Sequence, residues 1–97
     1  MQIERMITIS TAHISEDTEQ LLIENAENNH FSISVYSKDV YGFWIYIPNK
    51  LNNVIDNNEK LPDDLWNCIM LAIDNDCTWL CLDRDGEVID GLETFDW

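Results

Sequence analysis

Positive charge is what this sequence most conspicuously lacks. Five Lys and Arg stand against 19 Asp and Glu, giving a formal net charge of −14. So few cations argue against direct nucleic-acid binding, which neutralises phosphates with Lys and Arg and releases counterions. They argue against an anionic membrane surface for the same reason. Glycine occurs three times, which excludes a Gly-rich phosphate cradle. No apolar run approaches the ~20 residues of a membrane-spanning helix. Met1-Gln2-Ile3-Glu4-Arg5 lacks the basic start and long apolar stretch of a signal peptide. Cysteine is scarce and odd in number, with Cys68, Cys77 and Cys81 giving no disulfide framework. A reducing, cytoplasmic setting is expected.

What is present is enough to fold. Apolar residues make up 45% of the chain, including four Trp, three Tyr and three Phe, a composition that excludes an acidic disordered tail. At 97 residues the chain has room for one core, so 1–97 is expected to be a single domain.

Loose alternation over residues 2–9 predicts a first strand. Ser15 followed by Glu16, Asp17 and Glu19 reads as a helix N-terminus, a capping hydroxyl followed by acids that suit the macrodipole. Thr18, Leu21, Leu22 and Ala26 supply its apolar face, and Asn28-Asn29-His30 its end. Phe31–Ser37 alternates as a half-buried strand, and Val40–Pro48, rich in aromatic and β-branched residues, follows as its hairpin partner. Asn49–Leu61 reads as an Asn-rich loop with one helical turn around Leu51–Ile55, long enough to touch a partner. Pro62, Asp63 and Asp64 open a second helix with a stripe of Leu65, Ile69, Ala72 and Ile73. Thr78–Leu82 and Glu87–Ile89 are expected to close the chain as a hairpin about Asp83-Arg84-Asp85-Gly86, with Leu80, Leu82, Val88 and Ile89 holding it to the core. The order β-α-β-β-α-β-β predicts an α+β two-layer sandwich, a mainly antiparallel sheet with two helices on one face.

Candidate chemistry is thin. An EF-hand numbered on Gly86 would place Cys81 at the first position and Leu92 at the twelfth, which leaves too few oxygen ligands. The three cysteines with His13 and His30 supply no second ligand pair for zinc. His13, between a strand and a helix beside Ser10, Thr11 and Ser15, lacks an orienting acid and a nucleophile elbow. Asp90 and Asp96, the latter beside Trp97, are the carboxyls with an environment suited to acid–base work, and only weakly so. No catalytic residue, cofactor or metal is assigned.

The acids are unevenly placed. Residues 1–62 carry nine acids and four bases, whereas residues 63–97 carry Asp63, Asp64, Asp74, Asp76, Asp83, Asp85, Glu87, Asp90, Glu93 and Asp96 against Arg84 alone. On a strand, Asp83 and Asp85 would lie ~6.6 Å apart, near the spacing of neighbouring phosphates. A charge of −14 matches roughly 24 Å of duplex at about one charge per 1.7 Å. These ten acids are therefore the candidate contacts to a basic partner surface, with Trp66, Trp97 and Tyr41 read first as core residues and second as aromatic anchors.

Ser10-Thr11-Ala12-His13-Ile14, Tyr41-Gly42-Phe43-Trp44-Ile45, Pro62-Asp63-Asp64-Leu65, Leu80-Cys81-Leu82-Asp83-Arg84-Asp85-Gly86 and Leu92-Glu93-Thr94-Phe95-Asp96-Trp97 together resemble an uncharacterised family. Its members are small acidic proteins of phages, plasmids and other bacterial mobile elements. The resemblance spans nearly the whole chain and brings no catalytic residues with it. It implies a setting in which small acidic proteins act as anti-restriction or anti-CRISPR factors. The expectation is a non-enzymatic acidic inhibitor, monomeric or homodimeric, that mimics nucleic-acid charge and occludes the basic site of a host defence protein. The alternative is an accessory or immunity-type interaction module.

Overall fold

Ile7 and Ile9 point to one side of an extended segment, and that side becomes the buried face of strand β1, Met6–Ser10. The computed structural model describes residues 1, 3–27, 33–47 and 61–96. A short 3-10 turn, Thr11–His13, leads to α1, Glu16–Glu27. Strands β2, Ser34–Ser37, and β3, Gly42–Tyr46, follow, then α2, Asp63–Asp74, and β4, Trp79–Asp83. The class is α+β. The Asn-rich loop and its helical turn around Leu51–Ile55, the strand ends at Phe31 and Pro48, and Asn28-Asn29-His30 lie outside the described residues.

The sheet runs in the order β1-β4-β3-β2. β4 pairs parallel with β1 and antiparallel with β3, and β3 pairs antiparallel with β2. The register aligns Ile9, Leu82 and Phe43 in one row, and Ile7, Leu80, Ile45 and Val35 in the next. All of these side chains share one face because successive residues of a strand alternate sides. Against that face lie Leu22 of α1 and Leu65, Ile69 and Ala72 of α2, each fully buried. Burial of a Leu or Ile side chain contributes about 1.5–3 kcal/mol, so both helices are held by this face.

The closing hairpin is a correction. Asp83-Arg84-Asp85-Gly86 does turn, with the Asp83 carboxylate accepting from Asp85 N–H at 2.8 Å and its carbonyl from Gly86 N–H at 2.9 Å. But β4 already has β1 on one edge and β3 on the other, so a hairpin partner has no edge to join. The chain instead crosses to the outer edge of β1. There Glu87 makes one parallel bridge with Ile9, and Ser10 N–H donates to Glu87 C=O at 2.9 Å. At the crossing, a Cβ on Gly86 would lie 2.5 Å from the Ile9 carbonyl oxygen, an approach open only to glycine. Ile89 and Leu92 pack on the core while Val88 is exposed. Leu80 and Leu82 belong to a central strand, not to the sheet edge.

Candidate functional site

Because β1 and β4 run parallel, both chains leave the sheet at the same end. From Ser10 the chain turns into the acidic first turn of α1. From Asp83 it enters the acidic C-terminal segment. Three ties hold this end together.

The first tie is Asp64. Its carboxylate accepts from Ser15 N–H at 2.7 Å and from the Thr18 hydroxyl at 2.8 Å. Ser15 Oγ itself accepts from Thr18 N–H at 3.3 Å, so the expected cap is present and a residue of α2 completes it. Burial pushes the Asp64 carboxyl up, but hydrogen bonds from Ser15, Thr18 and Leu65 outweigh it and hold the group below the ordinary value of 3.8.

The second tie is His13, which is 2% exposed. Its Nε2 accepts from Ile89 N–H at 2.9 Å, which leaves Nδ1 to donate to Glu93 C=O, also at 2.9 Å. Both ring nitrogens are committed to the backbone of the C-terminal segment. The ring is a clamp and has no free nitrogen with which to act as a base. The third tie is Phe95 N–H donating to Ala12 C=O at 2.7 Å.

These ties bring to one pole of the domain the segments that carry Asp63, Asp85, Glu87, Asp90, Glu93 and Asp96, all of them exposed. Glu16 and Asp17 of α1, expected only as acids suited to the helix macrodipole, belong there too: with Ser15, Phe95 and Asp96 they line a concavity of about 340 Å³. Arg84 lies at the same pole, lining a neighbouring hollow of about 230 Å³ with Asp96 and holding its guanidinium 5.8 Å from the Tyr41 ring. Their signal was positional. An acidic helix start that follows a strand parallel to β4 must share β4's carboxyl end.

Two of the expected contacts, Asp74 and Asp76, separate from the pole, and a third, Asp83, lies at it but is neutralised by an ion pair. Asp74 ends α2 and Asp76 lies just beyond it, where the chain is about to enter β4 from its other end. The strand alone spans ~13 Å. Asp76 has a backbone role at φ 58, where an Asp tolerates the left-handed turn that ends the helix. Asp83 is ion-paired with Lys38, and that hydrogen bond, with Asp85 N–H, holds its carboxyl below the usual range. β4 ends at Asp83, so Asp83 and Asp85 are not neighbours along a strand. The regular phosphate-like spacing expected of a strand is absent, and what remains is density of charge at one end. Of the expected aromatic anchors, Tyr41 is exposed, Trp66 is half-buried, and Trp97 lies outside the described residues. All three thiols are free and buried, and among the described residues no three His, Cys, Asp or Glu side chains converge as metal ligands. No described helix is long and apolar enough to cross a membrane.

Residues 6–97 match the C-terminal domain of a family of unknown function, DUF5983, and the chain belongs to that family. No curated protein and no solved structure matches it.

Proposed function

We propose that this member of the family is a non-enzymatic acidic protein that presents its charged pole to a basic protein surface and occupies ground otherwise held by nucleic-acid phosphates. The observation that carries the reading is the meeting of acidic segments from α1, α2 and the C-terminal stretch at one end of the fold, where Arg84 and the Asp83-paired Lys38 are the cations among the described residues. A domain 32 Å along its longest axis covers a length of duplex that carries roughly 19 charges. The net charge of −14 is therefore of the order a phosphate-binding channel accommodates. Contacts would be charge-assisted hydrogen bonds to Arg and Lys, whose complementarity raises association rate and fixes register. The likeness to small acidic proteins of phages and plasmids supports a partner in a host defence complex, as in anti-CRISPR or anti-restriction action. The test is affinity capture from a bacterial lysate at low salt, with the wild type beside a pole variant carrying Asp85→Lys, Glu87→Lys and Asp90→Lys. Nucleic-acid-binding proteins held by the wild type and lost from the variant are the expected result. Equal capture by both removes the reading.

A further inference from the structure

Both helices cover one face of the sheet, and the register defines what the other face carries. Met6, Trp79, Tyr46 and Ser34 form one row; Thr8, Cys81, Trp44 and Tyr36 form the next. Adjacent strands lie ~4.8 Å apart, so Met6, Trp79, Tyr46, Trp44 and Tyr36 make one continuous apolar surface. Open faces of antiparallel sheets are ordinarily polar. Here Met6 is 52% and Tyr36 50% exposed, and Trp79 packs between Tyr36 and Tyr46 with ring centroids 5.9 and 5.1 Å away. Between β1 and β2 lies a groove of about 690 Å³ lined by Glu4, Met6, Tyr36, Ser37, Trp44 and Trp79.

The charges around the groove choose its occupant. Glu4 stands at the rim, its carboxylate accepting from the Trp79 indole N–H at 3.0 Å. Lys38 reaches over the face, but its ammonium is paired with Asp83, so it offers little to an incoming anion. That same ammonium lies 5.4 Å from the centre of the Trp44 ring, a cation–π contact made by the chain itself. A second copy of the protein would bring another −14 to the face, and a nucleic acid or anionic lipid would meet the same repulsion.

The geometry points to the open aromatic face as a docking groove for a cationic amphipathic segment of a protein partner. Apolar side chains of that segment would lie on Met6, Trp79 and Trp44, and its Lys or Arg would sit over the exposed Tyr36 ring and beside Glu4. This shares with the reading above the premise of a basic partner but uses a separate surface, and the experiment distinguishes them.

The probes are three synthetic peptides of equal length, alternating Lys/Leu, Lys/Ser and Glu/Leu. Each is titrated into the full chain by calorimetry, with the Trp79 indole N–H followed by NMR. The Lys/Leu peptide is expected to bind most tightly and to shift the Trp79 resonance. Its affinity should fall about tenfold in a Met6→Ser/Tyr36→Ser variant, a loss of the size expected for contacts at the centre of an interface. Both substituted residues are half-exposed, and unchanged circular dichroism shows that the variant is folded. The charge-reversed pole variant should keep the Lys/Leu preference over Lys/Ser. Equal affinity for Lys/Leu and Lys/Ser, with no response at Trp79, overturns the groove and leaves the acidic pole standing. Equal affinity for Glu/Leu overturns the choice of a cationic occupant. Self-association that disappears in the Met6→Ser/Tyr36→Ser variant overturns it in favour of a second copy.

Discussion

Replacing Asp64 separates a structural carboxylate from the acidic pole around it. Its two oxygens satisfy the Ser15 amide and the Thr18 hydroxyl, joining the start of α2 to the start of α1. Charge-assisted hydrogen bonds contribute ~1.5–3 kcal/mol each, and loss of a helix cap costs ~0.5–2 kcal/mol. These overlap, and water reaching the half-buried group trims the charged part, so Asp64→Ala should cost about 2 kcal/mol. For a domain of this size that lowers Tm by roughly 8–16 °C. Asp64→Asn keeps the shape and one acceptor and should cost about half as much. The pH dependence follows from the direction of the shift. The folded carboxyl lies below its ordinary value of 3.8, so its stabilisation is present above that value and is lost as pH falls through the folded one. Urea unfolding followed by circular dichroism should show the full gap between wild type and Asp64→Asn at neutral pH and little gap well below 3.8. Asp64→Ala matching wild type at neutral pH, or a gap that persists in strong acid, refutes the assignment. Stabilisation by either substitution would place Asp64 among the repelling charges instead.

Three further outcomes follow for His13, Gly86 and Cys68. His13→Phe fills the ring's space but leaves Ile89 N–H and Glu93 C=O unpaired, a cost of about 2–4 kcal/mol; hydrogen exchange at the Ile89 amide should accelerate more than exchange within β4. Gly86→Ala drives a Cβ against the Ile9 carbonyl and should free the C-terminal segment from β1, seen as loss of protection at the Ser10 amide while β3 and β4 stay protected. Cys68, whose thiol is pushed up to about 12 by burial and then by Asp64, should resist alkylation near pH 8 until the protein is unfolded, whereas rapid labelling of the native protein contradicts its burial.

Local patterns revealed most of the elements because local physics made them. Ser15 did cap α1, and the stripe of Leu65, Ile69 and Ala72 did bury α2, since periodicity and capping act within a few residues. The error at Glu87–Ile89 came from reading a turn as evidence of a hairpin. Trp79-Leu80-Cys81-Leu82 is an unbroken apolar run, and such a run marks a central strand with both edges taken. That signal, weighed first, denies the next segment a place beside β4. The aromatic second face was also written in the sequence. Gly42–Tyr46 is apolar on both sides, and both described helices lie on one. The acidic pole was only half legible. Charge bias toward residues 63–97 was plain, but its division between two ends of β4, and the arrival of Glu16 and Asp17, depend on the parallel pairing of β1 with β4. Nothing local encodes that pairing.

If the proposed function holds, the pole and a nucleic acid compete for one basic surface. The direct measurement is fluorescence anisotropy of a labelled duplex bound to a captured nucleic-acid-binding protein, titrated with this chain at several salt concentrations. Displacement of the duplex is the expected result. Its potency should fall steeply as salt rises and exposed charges are screened beyond ~10 Å, and the Asp85→Lys/Glu87→Lys/Asp90→Lys variant should displace nothing. A ternary complex that keeps its duplex, or displacement indifferent to salt and to charge reversal, contradicts it.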